Sequence, residues 1–299
     1  MTSLRLANIV HLGQEVLALE HRDILVSVPE IEHSFGLESS PAQFADATSF
    51  RRRVFSLGLS GLSDVLEVLA DGEPPANAVL SSAECMYLAP TTVDPALFEF
   101  AASDHGPPVF HRGFGRCLLG HDAPLPIPVD EPDAEVSAQI AAVLAEDVRD
   151  ATPEQARRAI LGYSILSMWV LPMRDRLSSG WGHYRLGQLG PCLVVPNESF
   201  DPAQCDVCIR VNGEKTASGS AGRLRMRFDE MIAFASDGVE LHAGDVIASG
   251  PVCCVKSGPR RPLRERDRVS AEIVGLGVLS GMVVTGHASQ DVQRWTQRC

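Results

Sequence analysis

The spacing of apolar and polar positions changes several times along this 299-residue chain, and each change marks an element. Residues 4 to about 30 alternate around Gly13 and His21-Arg22-Asp23, the period of a small strand meander. From Ser40-Pro41 to Ala70 the pattern turns helical, with Phe44, Phe50, Val54, Phe55, Leu62, Val65 and Leu69 apolar. Asp71-Gly72-Glu73-Pro74-Pro75 then breaks it. Val136–Leu144 follows the turn-prone Pro126-Ile127-Pro128 and Glu131-Pro132-Asp133 and reads as a central strand. Side chains alternate across a strand, so Ser137 and Gln139 point to the same side. Thr152-Pro153-Glu154-Gln155 is a capping box with proline at the first helical position. It predicts a helix running through Ala159, Leu161, Ile165 and Leu166 towards Pro172. Further on, Cys208–Glu214 reads as a strand entering the turn Asn212-Gly213, and Asp229–Ala235 as a short helix. Val246–Ala248 is a strand delivering Ser249 and Gly250 to its end, and 267–284 holds two more, split by Gly275-Leu276-Gly277.

Composition narrows the picture. The chain is 45% apolar and 21% charged, with 25 Gly and 20 Pro, which suits a strand-rich, loop-rich globular protein. Its 38 acidic against 26 basic residues give a net charge of −12, which argues against nucleic acid or an anionic membrane as partner. No apolar run reaches the roughly 20 residues that span a bilayer, and no secretory leader is evident, so a cytoplasmic location is expected. The eight cysteines form no framework. Cys205-x-x-Cys208 lacks the second ligand pair that a zinc site needs, so reduced, buried thiols are expected.

Two polar, glycine-bearing loops carry candidate chemistry. Asp104-His105, followed by Val109-Phe110-His111-Arg112-Gly113, offers a proton carrier and a fixed cation for a carboxylate. Ser178–Arg185 is the second, with Trp181, His183, Tyr184 and Arg185. The backbone amides of Ser249 and Gly250 at a strand end suit an anion.

Val211-Asn212-Gly213-Glu214, Leu241 through Gly250, Leu263 through Val269 and Gly275-Leu276-Gly277-Val278-Leu279 occur in the order seen in the fumarylacetoacetate hydrolase superfamily. Val136 to Ala141, running on to Glu146-Asp147-Val148, resembles the metal-binding strand of its hydratase/decarboxylase branch. The resemblance covers roughly residues 88 to 284. It implies an α+β, β-rich fold: a mixed β-sheet roll of the fumarylacetoacetate hydrolase type with a small N-terminal α/β module. The division it suggests is 1–90 and 91–299, in a homodimer. It also implies an enzyme acting on 2-oxo acids, β-dicarbonyls or their enols, with Mg²⁺ held by Glu-x-Glu and a later acidic residue.

Here the sequence departs from that pattern. The Glu-x-Glu positions hold Ser137 and Gln139, and the later ligand falls at Ser167 or Met168. Neutral donors of this kind do not hold Mg²⁺ tightly. The resemblance implies His105, with Asp104, as general base. It places Arg112, His111, Ser137, Gln139, Ser249 and Gly250 as substrate contacts, and the departures leave no metal ligand expected. The basic residue of the 180–188 loop stays open among Trp181, His183, Tyr184 and Arg185. The reading is a metal-independent enzyme for tautomerisation, dehydration or cyclisation of a small oxo- or enol-acid, in a specialised biosynthetic pathway. One alternative is an Mg²⁺-dependent hydrolase, decarboxylase or hydratase that uses Asp133 and Glu135 after a two-residue slip. Another is a catalytically inactive binding or scaffolding relative.

Overall fold

The computed structural model describes residues 3–37, 49–56, 58–101, 108–129, 131, 133–172, 186–197, 200–256 and 263–286. The N-terminal alternation forms the meander β1 (Leu4–His11), β2 (Gln14–His21) and β3 (Ile24–Ser27). Helix α1 (Val28–Phe35) starts at once, its first turn capped by the Ser27 hydroxyl and its end closed by Gly36 in the left-handed region. Helix α2 (Ser63–Asp71) stops before Gly72, at the predicted break. Short strands β4 (Val79–Leu80) and β5 (Cys85–Tyr87) lead to β6 (Ala96–Phe100), β7 (Phe110–Phe114), β8 (Leu118–Leu119) and β9 (Pro124–Pro128).

The long strand β10 (Glu135–Leu144) is central, as its sequence predicts. After it, helix α3 (Pro153–Arg158) opens on the complete Thr152/Gln155 capping box. The helix expected to continue to Pro172 does not. It ends at Arg158, and Ile160–Val170 is a strand, β11. Residues 161–169 are all buried, and an apolar run without period fits a buried helix or a strand covered on both faces. Tertiary partners decide it. β10 lies along one edge of β11 and β12 (Leu186–Val195) along the other, so both rows of backbone groups are paired.

Next come β13 (Asp206–Val211) and β14 (Glu214–Ser220), joined by Asn212-Gly213 with φ of 52° and 83°, the two left-handed residues a tight hairpin needs. Helix α4 (Phe228–Ala235), β15 (Val246–Ala248), β16 (Cys253–Lys256), β17 (Arg268–Ile273) and β18 (Gly277–Gly286) complete the described elements.

Two mixed sheets result. The larger runs β4-β3-β2-β1-β12-β11-β10-β15-β6-β7, with β16, β5 and β8 attached. It crosses residue 90 without interruption, because β1 pairs with β12. The smaller runs β14-β13-β17-β18-β9. One face of β10 (Val136, Ala138, Ile140, Ala142) packs against the smaller sheet and α4 through Ile209, Ala271, Leu279 and Ile232. The other face carries Ala141 and Val143, which join Leu166, Leu193 and the N-terminal side chains Ile31, Phe50 and Val65. Burial on both faces explains the near-continuous apolar run. Ser137 and Gln139 interrupt it on the N-terminal-module side.

Candidate active site on the central sheet

Two strands share the outer edge of β10, and the gap between them makes the site. β15 pairs with Ala141–Val143 and β16 with Glu135–Ala138. Between them the Ser249 amide donates to Ile140 O (2.9 Å) and the Val252 amide to Ala138 O (3.0 Å). Gly250 (φ 78°) and Pro251 therefore loop out of the ladder opposite Gln139. On the far side of β15 lies β6, with Ala248 paired to Glu99. Gln139 reaches across the gap, and its Nε2 donates to Glu99 Oε1.

The placement of β6 depends on Leu241-His242-Ala243-Gly244-Asp245. The Asp245 carboxylate accepts from the amides of Ala96 (2.8 Å) and His242 (2.8 Å), tying the start of β6 to the start of β15. Burial pushes its carboxyl up, and those two amides pull it back. Gly244 has φ 89°, and a Cβ there would stand 2.2 Å from Thr92 Cγ2, so this position admits glycine alone. The most specific stretch of the sequence is thus an anchor for Glu99.

A directed relay follows. Glu99 is 3% exposed and Gln139 0%. Gln139 Nε2 also donates to Ser137 Oγ (3.1 Å), and Ser137 Oγ donates to Met168 O (3.3 Å). Gln139 Oε1 is buried without a partner. Met168 and Cys254 both pair with Ser137, from β11 and β16, so their side chains share its face. Cys117 flanks Glu99. Its thiol is pushed up to about 11, chiefly by burial and further by the Glu99 charge, against the pull of a backbone hydrogen bond.

The structure sorts the expected residues. Ser137 and Gln139 lie together in the relay. Ser249 borders it, but its hydroxyl accepts from the Ile140 amide (3.2 Å) and donates to Gly250 O (2.8 Å), so it ties the gap to β10. Arg112 is not with them. It pairs with Phe98, on the opposite face from Glu99, and its guanidinium lies 5.7 Å from the centre of the Phe98 ring. Exposed His111 pairs with Glu99 and shares its side of β7. Asp104, His105, Trp181, His183, Tyr184 and Arg185 lie outside the described residues. In the slipped register, Asp133 is exposed and precedes the strand, while Glu135 pairs with Lys256 (3.2 Å). That pair supplies no ligand set. Cys117 and Cys254 are groups of this face to which the sequence reading gave no role. By the resemblance, Glu99 stands where the family's hydrolases carry a further ligand aspartate, and by itself it is not a metal site.

A hard divalent cation requires several oxygen lone pairs converging on one point. Here an amide hydrogen points at the carboxylate, and the Ser137 hydrogen points at a carbonyl. Among the described residues no three His, Cys, Asp or Glu side chains group to hold an ion. This donor set does not fit Mg²⁺ or Mn²⁺.

Two packed mixed sheets, a looped-out gap and one buried carboxylate held by an amide define a β-roll protein with a polar centre on its main sheet. Residues 91–284 match the family Fumarylacetoacetate (FAA) hydrolase C-terminal. The chain belongs to the fumarylacetoacetate hydrolase family. It is 27% identical over 187 residues to the mitochondrial oxaloacetate tautomerase fahd2 of Xenopus laevis, covering 59% of this chain and 58% of that one. It is 30% identical over 158 residues to the oxaloacetate tautomerase YisK of Bacillus subtilis, covering 50% and 52%. The chain thus spans little more than half the length of these relatives. The maleylpyruvate hydrolase of Sphingobium sp. SYK-6, solved with manganese(II) and pyruvate, superposes with a TM-score of 0.73 at 22% identity, over 95% of this chain and all of that one.

Proposed function

We propose that this protein is an enzyme that interconverts the keto and enol forms of a small oxo acid, without a divalent metal. The observation that carries the reading is the Glu99–Gln139–Ser137 relay: one buried carboxylate that accepts from the Gln139 amide, on the sheet face where the gap between β15 and β16 opens. Carbon–carbon hydrolysis needs a strongly polarised ketone, which a metal ion supplies in metal-assisted enzymes. Tautomerisation asks less: a base, and donors to carry charge on the enolate oxygen. Two relatives named as oxaloacetate tautomerases support the same chemistry.

The test joins two measurements on purified protein. Oxaloacetate is supplied as its enol, and the loss of enol absorbance is followed with and without EDTA. Metal content is measured in the same sample. A catalysed rate that EDTA leaves unchanged, in protein with far less than one metal per chain, is the expected result. A rate abolished by EDTA and restored by Mg²⁺ or Mn²⁺ overturns the metal-free reading, and no rate above buffer overturns the reaction.

A further inference from the structure

We infer that Glu99 is the catalytic proton carrier of this site and that Gln139 positions it, an inference that rests on the tautomerase reading. The relay has a direction. Both protons of the Gln139 amide nitrogen are engaged, by Glu99 and by Ser137, and the Ser137 proton is engaged by Met168 O. Gln139 donates in both of these bonds. Among these three side chains the carboxylate is the acceptor, and it is the one able to take up and release a proton. Gln139 serves it as a fixed dipole, donating without titrating.

Charge sets the same roles. A carboxylate at 3% exposure is costly unless compensated. A second carboxylate at position 139 would bring two like charges into hydrogen-bond contact. An amide at 139 brings a donor instead, so of these two side chains only Glu99 exchanges a proton. Three described residues stand beside Glu99. Ala248 faces it from β15, the Cys117 thiol beside it holds its proton up to about pH 11, and His111 faces it from β7.

The step balances within the substrate. Glu99 removes a proton from the carbon beside the ketone, and the C–H electron pair becomes the C=C bond. The C=O π pair moves onto oxygen, which takes the proton from the carboxylic acid. The enol leaves and Glu99 is again a carboxylate.

Two readouts test the assignment. The first is deuterium exchange at C3 of oxaloacetate in D₂O, followed by NMR. Removing a general base costs about 10²–10⁴ in rate, so Glu99→Gln is expected to slow exchange at least 100-fold, and Glu99→Asp less. Gln139→Met is expected to lower kcat about tenfold with KM within twofold. An active wild type with Glu99→Gln exchanging within threefold of it overturns the proposal and leaves the tautomerase reading standing. The second readout needs no activity. Oxalate, a dianionic enolate mimic, is titrated calorimetrically in two buffers of different ionisation enthalpy. Uptake of about one proton by the wild type and none by Glu99→Gln supports the assignment, even where the wild type fails to turn over oxaloacetate. Equal uptake by both proteins, or no oxalate binding by a wild type that also lacks turnover, overturns it.

Discussion

Ser137 and Cys254 stand directly opposite one another across the ladder between β10 and β16, so a hydroxyl and a thiol share the face that carries Glu99 and Gln139. Cys254 is exposed, whereas Cys253, one residue earlier, turns to the other face and is buried. The Cys253 and Cys205 thiols, like that of Cys117, are pushed up to about 11, in each case mainly by burial. Alkylation at pH 8, mapped by mass spectrometry, should therefore label Cys254 well before these three. Oxalate should slow that labelling, since a ligand over Ser137 covers the neighbouring thiol. Labelling of Cys117 ahead of Cys254 would contradict this arrangement.

The missing oxygen ligands are two side chains wide. Ser137→Glu with Gln139→Glu would set three carboxylates around the gap, where one now stands. The double variant should bind Mn²⁺ at least tenfold more tightly than the wild type, read as loss of the free-ion EPR signal. Equal binding by the two proteins would show that the ligands lie elsewhere.

Arg112 lies across Phe98, on the far side of β6 from Glu99. Arg112→Met should leave KM for oxaloacetate within twofold, because it keeps the packing on the ring and removes a charge remote from the relay. A KM raised tenfold would bring Arg112 back as a substrate clamp.

His121 gives the fold a pH dependence of predictable sign. Its Nδ1 accepts from the Ser280 amide (3.2 Å), and its ring meets Tyr87 edge-on at 5.1 Å. Burial lowers its pKa below 6.5, against the pull of Asp122. The unfolded chain then binds the proton first, so stability is complete above about pH 6.5 and is lost as pH falls below it. Melting temperature should drop between pH 7.5 and 5.5, and His121→Asn should flatten that slope. A slope unchanged by the substitution would assign the loss to other groups.

Much of this fold was legible because local chemistry and burial agreed. Asn212-Gly213, the Thr152 capping box and the strands at 136–144 and 246–248 each carried their own turn, cap or period. The stretch 160–170 did not. With every interior position buried it shows no period, and only β10 and β12 decide that it is a strand. Ser137 and Gln139 could be placed on one face from alternation alone. Their partner Glu99 could not, because three strands of non-local pairing bring it there. Arg112 lies apart from Glu99 for a simpler reason: one residue along β7 is the difference between the two faces of a sheet.

The bond between Gln139 and Glu99 also limits which single substitutions this site tolerates. Cation binding here requires acids at 137 and 139, and either one alone must be accommodated before any ion is held. Gln139→Glu by itself presses a second carboxylate against a buried one, and raises the pKa of the pair until one of them is neutral. That intermediate is worse at holding a metal than a full ligand set and worse at moving a proton than the present site. The amide at 139 thus sets a barrier against adding acids to this site one at a time.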